Sequence, residues 1–184
     1  LNDGLPLRPT EGEWASAVAA LQGLPPRASV LLACHLNPDG DALGSMLGVA
    51  LGLRRIAGEL DIARLQAAFP GRSEIPEPFR TLPGLDLLVP SADTDPAPDA
   101  MLAFDVASIE RLGELAERLS AAPVSIVLDH HASNTNFGKI NLVDPGAAAT
   151  SVLSDGLLCR LGVPLDAERE ARAPQGATVK GRAL

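Results

Sequence analysis

The hydrophobic positions of this chain change their period along its length, and the change predicts alternating helices and strands. Residues 13–22, EWASAVAALQ, set Trp14, Val18 and Leu21 on one face at helical spacing. LPPRA then breaks the pattern, and the continuously apolar SVLLAC at 29–34 predicts a strand buried on both faces, as in a parallel sheet. Residues 42–58 read as a helix in which Gly44, Gly48 and Gly52 leave a smooth stripe for packing against the sheet. IARLQAAF (62–69) is a weaker strand, and the Pro-rich stretch after it is too long for a simple turn and predicts a site-forming loop. Further strands are expected at 85–89, 100–105 and 124–129. Residues 108–120 predict a helix with Ile109, Leu112, Leu115 and Leu119 on one side. A last helix is expected over 147–162, opened by Asp144-Pro145 as an N-terminal signal.

Strands alternating with helices imply an α/β fold, a parallel sheet with helices on both faces. The domain is expected over residues 1–166. Residues 167–184 lack apolar periodicity and are expected to be a disordered tail or sequence appended to the domain.

Composition narrows this picture. The hydrophobic fraction of 46% supports a packed core, but with 3% aromatics and no Tyr the interior must be aliphatic. A net charge of −8 argues against a grip on duplex DNA. It leaves room for a small phosphorylated substrate, because bound metal ions supply positive charge where side chains do not. Cys34 and Cys159 form no disulfide framework and read as buried thiols of a cytoplasmic protein. The longest apolar stretch, Ala42 to Leu53, is shorter than the roughly 20 residues that span a bilayer, so no membrane partner is expected.

Three strand ends carry polar groups directly after an apolar run: His35 to Asp41, then Asp105, then Asp129 to His131. In open parallel sheets, ligands collect at the C-terminal ends of strands, so the three clusters can meet in one crevice. All three His of the chain lie in these clusters. Imidazole with carboxylate suits Mn²⁺, Zn²⁺ or Mg²⁺, and the absence of thiolate argues against a structural zinc knot. Pro38 and Gly40 shape a tight loop, so that Asp39 and Asp41 can diverge towards two ions, with Asp105 placed to bridge them. Two divalent ions about 3.5–4 Å apart stabilise in-line displacement at phosphorus. Each acid also has a plain structural reading, Asp39 and Asp41 as turn residues and Asp105 as a helix cap. Asp144 reads as an N-cap at least as well as a site residue. Neither a P-loop nor a GxSxG nucleophile elbow is present.

HLNPDGDALGS, AFDVAS, LDHHASNTNFG and NLVDPGAAATSVL, in that order, resemble the successive motifs of the DHH phosphoesterase superfamily. They are most similar to its DHH–DHHA1 branch, which includes the bacterial oligoribonucleases (nanoRNases) and 3′-phosphoadenosine 5′-phosphate (pAp) phosphatases. The resemblance implies two Mn²⁺ ions, with Mg²⁺ or Co²⁺ as substitutes, and attack on phosphorus by a hydroxide bridging them. By motif position, His35 and Asp39 hold one metal, Asp41 and His130 the other, and Asp105 bridges. Asp129 supports the site from behind, and His131 faces the phosphate as a positioning group or proton donor. Ser133 and Asn134 fall where the family has its phosphate-side loop. Short RNA oligonucleotides or pAp are the implied substrates, and a homodimer is the implied assembly.

Two departures qualify the resemblance. The family's fourth-motif Asp has no counterpart near residue 181, where this chain reads VKGRAL, and the DHHA1 domain with its glycine-rich substrate loop does not follow. The expectation is therefore a truncated, metal-binding half of the enzyme with its second metal site incomplete. The alternatives are a cyclic-dinucleotide phosphodiesterase, a family II pyrophosphatase-like hydrolase (which typically has NPDTDS where this chain has NPDGDA), and a catalytically impaired fragment that binds metal or nucleotide. RecJ-type exonucleases lack the counterpart of His35.

Overall fold

A computed structural model describes residues 8–71 and 74–163. The expected tail and the position of the fourth motif lie outside the described residues. Five parallel strands form one sheet: β1 (Ala28–Cys34), β2 (Ile62–Ala68), β3 (Ala100–Phe104), β4 (Val124–Asp129) and β5 (Ile140–Val143), in the order β2-β1-β3-β4-β5. The chain steps from β1 to β2 in one direction and then returns to place β3 on the other side of β1. That reversal lies between β1 and β3, and it is where such sheets open a crevice at their C-terminal edge.

Burial follows the alternation of side chains along each strand. Val30, Leu32 and Cys34 face one layer, made of α1 (Glu11–Gln22), α2 (Gly40–Arg55) and α4 (Thr150–Arg160). Leu31 and Ala33 face the other, a thinner cover of a 3₁₀ segment (Ile109–Leu115) and the short α3 (Ala116–Ala121). The expected α/β architecture with helices on both faces is thus present. α1 starts where a capping box dictates: Thr10 accepts from the Glu13 N–H while the Glu13 carboxylate accepts from the Thr10 N–H at 2.7 Å.

Four expectations need correction. The strand expected at 85–89 is a 3₁₀ turn, Leu85–Leu87, touching the sheet by one bridge between Ala67 and Leu88. The helix expected over 108–120 breaks at Gly113, whose φ of 50° and ψ of −129° no α-helix accommodates. A Cβ at Gly113 would stand 3.0 Å from Pro70, so glycine here lets the two loops touch, and Leu112, Leu115 and Leu119 are still buried under the sheet. The glycine stripe does not pack on the sheet: a Cβ on Gly44 or Gly48 would have no neighbour within 4 Å outside its own helix, while one on Gly52 would run into Leu158, placing the close approach at the α2–α4 crossing. Of the two thiols, Cys34 is buried but Cys159 is exposed.

The sequence reading also passes over β5. Its four residues bury only Leu142 completely, which is too short a pattern to read as a strand, and β4 supplies its pairing. The connection from β4 to β5, residues 130–139, holds no helix, and it carries two of the three histidines.

Candidate metal centre

Each strand of the crevice ends by handing an apolar run to a polar side chain. After β1, His35 is 5% exposed, and its Nδ1 lies 2.8 Å from the Leu36 carbonyl. Asn37 turns the chain through a φ of 54°, and Asp39 then caps α2, one carboxylate oxygen accepting from the Asp41 and Ala42 N–H groups at 3.1 and 3.0 Å. The turn reading of Asp39 is therefore correct and compatible with a second duty for its other oxygen.

After β3, Asp105 adopts a φ of 59°, in the left-handed region that non-glycine residues rarely occupy. A backbone held there by its surroundings is a recurrent sign of a functional position. The surroundings are specific: its N–H donates to the Leu128 carbonyl at 3.0 Å, and Thr150 Oγ1 donates to its Oδ1 at 2.8 Å. Asp105 caps no helix, because the segment after it begins at Ser108.

At the end of β4, Asp129 is fully buried and acts as a bracket. Its Oδ1 accepts from the His130 N–H at 2.9 Å and faces His131 Nδ1 at 2.7 Å, and its Oδ2 accepts from the Asn134 amide at 2.6 Å. The same Asn134 amide donates to the Val106 carbonyl, and its oxygen accepts from the Asn136 N–H, so this side chain braces the loop. Ser133 is exposed in the same loop.

The three imidazoles converge on Asp105. His35 Nε2 is 3.6 Å from Asp105 Oδ2, while His130 Nε2 and His131 Nδ1 are 3.5 and 3.7 Å from Oδ1. His130 Nε2 is also 3.7 Å from Asp41 Oδ2. His35 and His130 turn Nδ1 towards backbone carbonyls, which only accept, so the proton of each neutral ring sits on Nδ1 and the Nε2 lone pair faces a carboxylate. Gaps of this length between two electron-rich atoms call for a proton or a cation between them. In the metal-free chain, the Asp105 carboxylate lifts the His35 pKa above its ordinary value, against the opposing effect of burial. Burial pushes the Asp105 carboxyl upward, but His35, Thr150 and the charge of His131 outweigh it and hold it below the usual range.

The donors fit a divalent cation. His35, Asp39 and Asp105 offer three ligand atoms within 4.8 Å of one another, and so do Asp105, His130 and His131. Donors about 2.1 Å from a common ion lie at most about 4.2 Å apart, so modest side-chain adjustment closes either group on one ion. Asp105 belongs to both groups. Asp41 belongs to neither, and its carboxylate accepts from the Thr150 and Ser151 N–H groups of α4 at 2.8 and 3.2 Å.

Thr150 is the residue sequence reasoning missed. Asp144 accepts from the Gly146 N–H and lies 3.6 Å from Arg8, but it does not open α4; the helix begins at Thr150, after Ala149. The only available signal was the ATS that follows the run of alanines, the first hydroxyl residue near the start of a predicted helix.

The chain is similar to known proteins in sequence and in fold. The chain is 31% identical over 146 residues to the bifunctional oligoribonuclease and PAP phosphatase NrnA of Thermus thermophilus, a match covering 76% of this chain and 39% of that protein. The crystal structure of an exopolyphosphatase-related protein from Bacteroides fragilis superposes with a TM-score of 0.68 at 20% identity, over 89% of this chain and 46% of that one, and shows the same fold. This chain thus spans less than half the length of either relative. Residues 29–174 match the DHH family, N-terminal domain, and the chain belongs to that family.

Proposed function

We propose that this domain is the metal-binding part of a phosphoesterase that hydrolyses short oligoribonucleotides and pAp with two Mn²⁺ ions. The observation that carries the reading is the meeting of three imidazoles and shared Asp105 at the point where the sheet reverses direction. His35, Asp39 and Asp105 would hold one cation, and Asp105, His130 and Asp41 the other. Cations bound there supply the charge that an acidic protein lacks towards phosphate, and acidify water for attack on phosphorus.

His131 has a separate task. Asp129 holds its Nδ1, which leaves Nε2 as the atom that can give a proton to the departing oxygen. The ring opens on a groove of about 550 Å³ that Arg8, Asn134, Asn136 and Lys139 also line, enough room for a nucleotide. Ser133, exposed in the same loop, would meet a phosphate oxygen. This reading places the protein in the cytoplasm, among short RNA fragments.

Titration of Mn²⁺ into the chain tests the site. The wild type is expected to bind Mn²⁺, and Asp105→Ala to lose both ions. Hydrolysis is then compared across pAp, di- to pentaribonucleotides, cyclic dinucleotides and pyrophosphate. Preference for cyclic dinucleotides or pyrophosphate would overturn the substrate assignment. Absence of Mn²⁺ binding in the wild type would overturn the reading itself.

A further inference from the structure

The N-terminus of α4 has no cap of its own. Its N-cap position is Ala149, which has no side-chain acceptor, although the first N–H groups of any helix need one. The acceptor arrives from 109 residues away: Asp41 Oδ2 takes the Thr150 N–H at 2.8 Å. Asp41 Oδ1 takes the Ser151 N–H at 3.2 Å and the Ser45 hydroxyl at 3.1 Å. Thr150, fully buried, also sends its hydroxyl to Asp105 Oδ1 at 2.8 Å.

One residue therefore donates to two carboxylates at once, the backbone to Asp41 and the side chain to Asp105. The two oxygens it holds, Asp41 Oδ2 and Asp105 Oδ1, are the same two that stand 3.7 and 3.5 Å from His130 Nε2. A carboxylate oxygen accepts in more than one direction, so a bond to Thr150 leaves each with a lone pair for a cation. The positive end of the helix favours the ionised form that ligation requires. Groups that hydrogen-bond a metal's ligands typically control affinity ten- to hundredfold without touching the ion.

We infer that Thr150 is a positioning residue for the second cation, fixing Asp41 and Asp105 on either side of His130 Nε2 so that the three close on one ion. The inference rests on the metal reading above and deepens it.

Calorimetric titration of Mn²⁺ into the whole chain tests it, with unfolding in EDTA followed alongside. Thr150→Val keeps shape and the backbone bond to Asp41 and removes the hydroxyl that holds Asp105 Oδ1; it is expected to weaken one Mn²⁺ by about tenfold or more, leaving the other within about threefold. Thr150→Ser keeps the hydroxyl and is expected to restore wild-type affinity. A role confined to packing would lower the unfolding temperature and leave Mn²⁺ affinity in place. Equal Mn²⁺ binding by wild type and Thr150→Val, or equal weakening in Thr150→Ser and Thr150→Val, overturns the inference. Should Thr150→Val fail to fold, Thr150→Ala against Thr150→Ser, which differ by one oxygen, decides by the same criterion. A wild type that binds no Mn²⁺ overturns the metal reading instead, so the two failures are distinct.

Discussion

The two halves of the crevice hold similar donors in different settings. Around His35 and Asp105 the side chains are 7% and 4% exposed, and both follow central strands directly. Around His130 and His131 they are 28% and 42% exposed, on a loop that holds no helix of its own. The buried half has little freedom to exchange what it binds, whereas the open half faces the groove. A dry, rigid pocket suits a retained ion, and a wet one suits a group that must meet substrate and pass protons. In the proposed reading, distance from solvent would separate the ion held at His35 from the proton transfer assigned to His131.

That division can be broken most sharply at His131. His131→Ala is expected to lower turnover of the preferred substrate by about 10²- to 10⁴-fold, the usual worth of a positioned acid. Affinity for the ion at His35, read by Mn²⁺ titration, should be unchanged. A similar loss of that ion would show that the halves are not separate.

Asp129→Asn comes next. It exchanges the charged bracket behind His131 for an amide that cannot hold the same proton arrangement, and turnover should fall about ten- to hundredfold.

Thiol chemistry sharpens the contrast without touching the site. Cys34 directly precedes His35, and burial, followed by the charges of Asp105 and Asp39, pushes its pKa far above the ordinary value. The native chain should therefore react with a disulfide reagent quickly at exposed Cys159 and only on unfolding at Cys34. Rapid labelling of both would mean that the buried half opens.

The smallest effect is expected at Glu114, beside the loop that follows β2. Its Oε1 accepts from the Gly71 N–H at 3.0 Å and the Ser91 hydroxyl at 2.5 Å, and these bonds, the Ser91 one foremost, hold its carboxyl below the usual value. Glu114→Gln should cost about 1 kcal/mol of stability at neutral pH. A depressed carboxyl contributes fully above its unfolded pKa and loses that contribution as pH falls through its folded one, so the difference from wild type should disappear in acid.

The parts of this molecule legible in its sequence are those where one local cause dominates. SVLLAC and VSIVLD are strands because they are buried on both sides, and the residues ending them stand where the sheet topology requires. Asp129 behind the site follows from the order of the motif. What escaped reading depends on distant partners. Gly113 breaks a helical pattern because Pro70 lies against it, and Leu85–Leu87 curls into a turn although its composition suits a strand. The start of α4 is fixed by Asp41, and no window around Thr150 contains that acid. The glycine stripe was misread for the same reason, since Leu158 rather than the sheet approaches Gly52.

The bonds from Thr150 reach back 109 residues to Asp41 and 45 to Asp105. Loops of that length close late as a chain folds, because their entropy is lost before any contact rewards it. The site is therefore complete only where both of these loops have closed. A cation that binds only the finished arrangement draws the whole folding equilibrium towards it, by an amount that grows with the logarithm of its concentration. With the proposed cations bound, the supply of metal would set not only how much of the site is loaded but how much of the domain is folded.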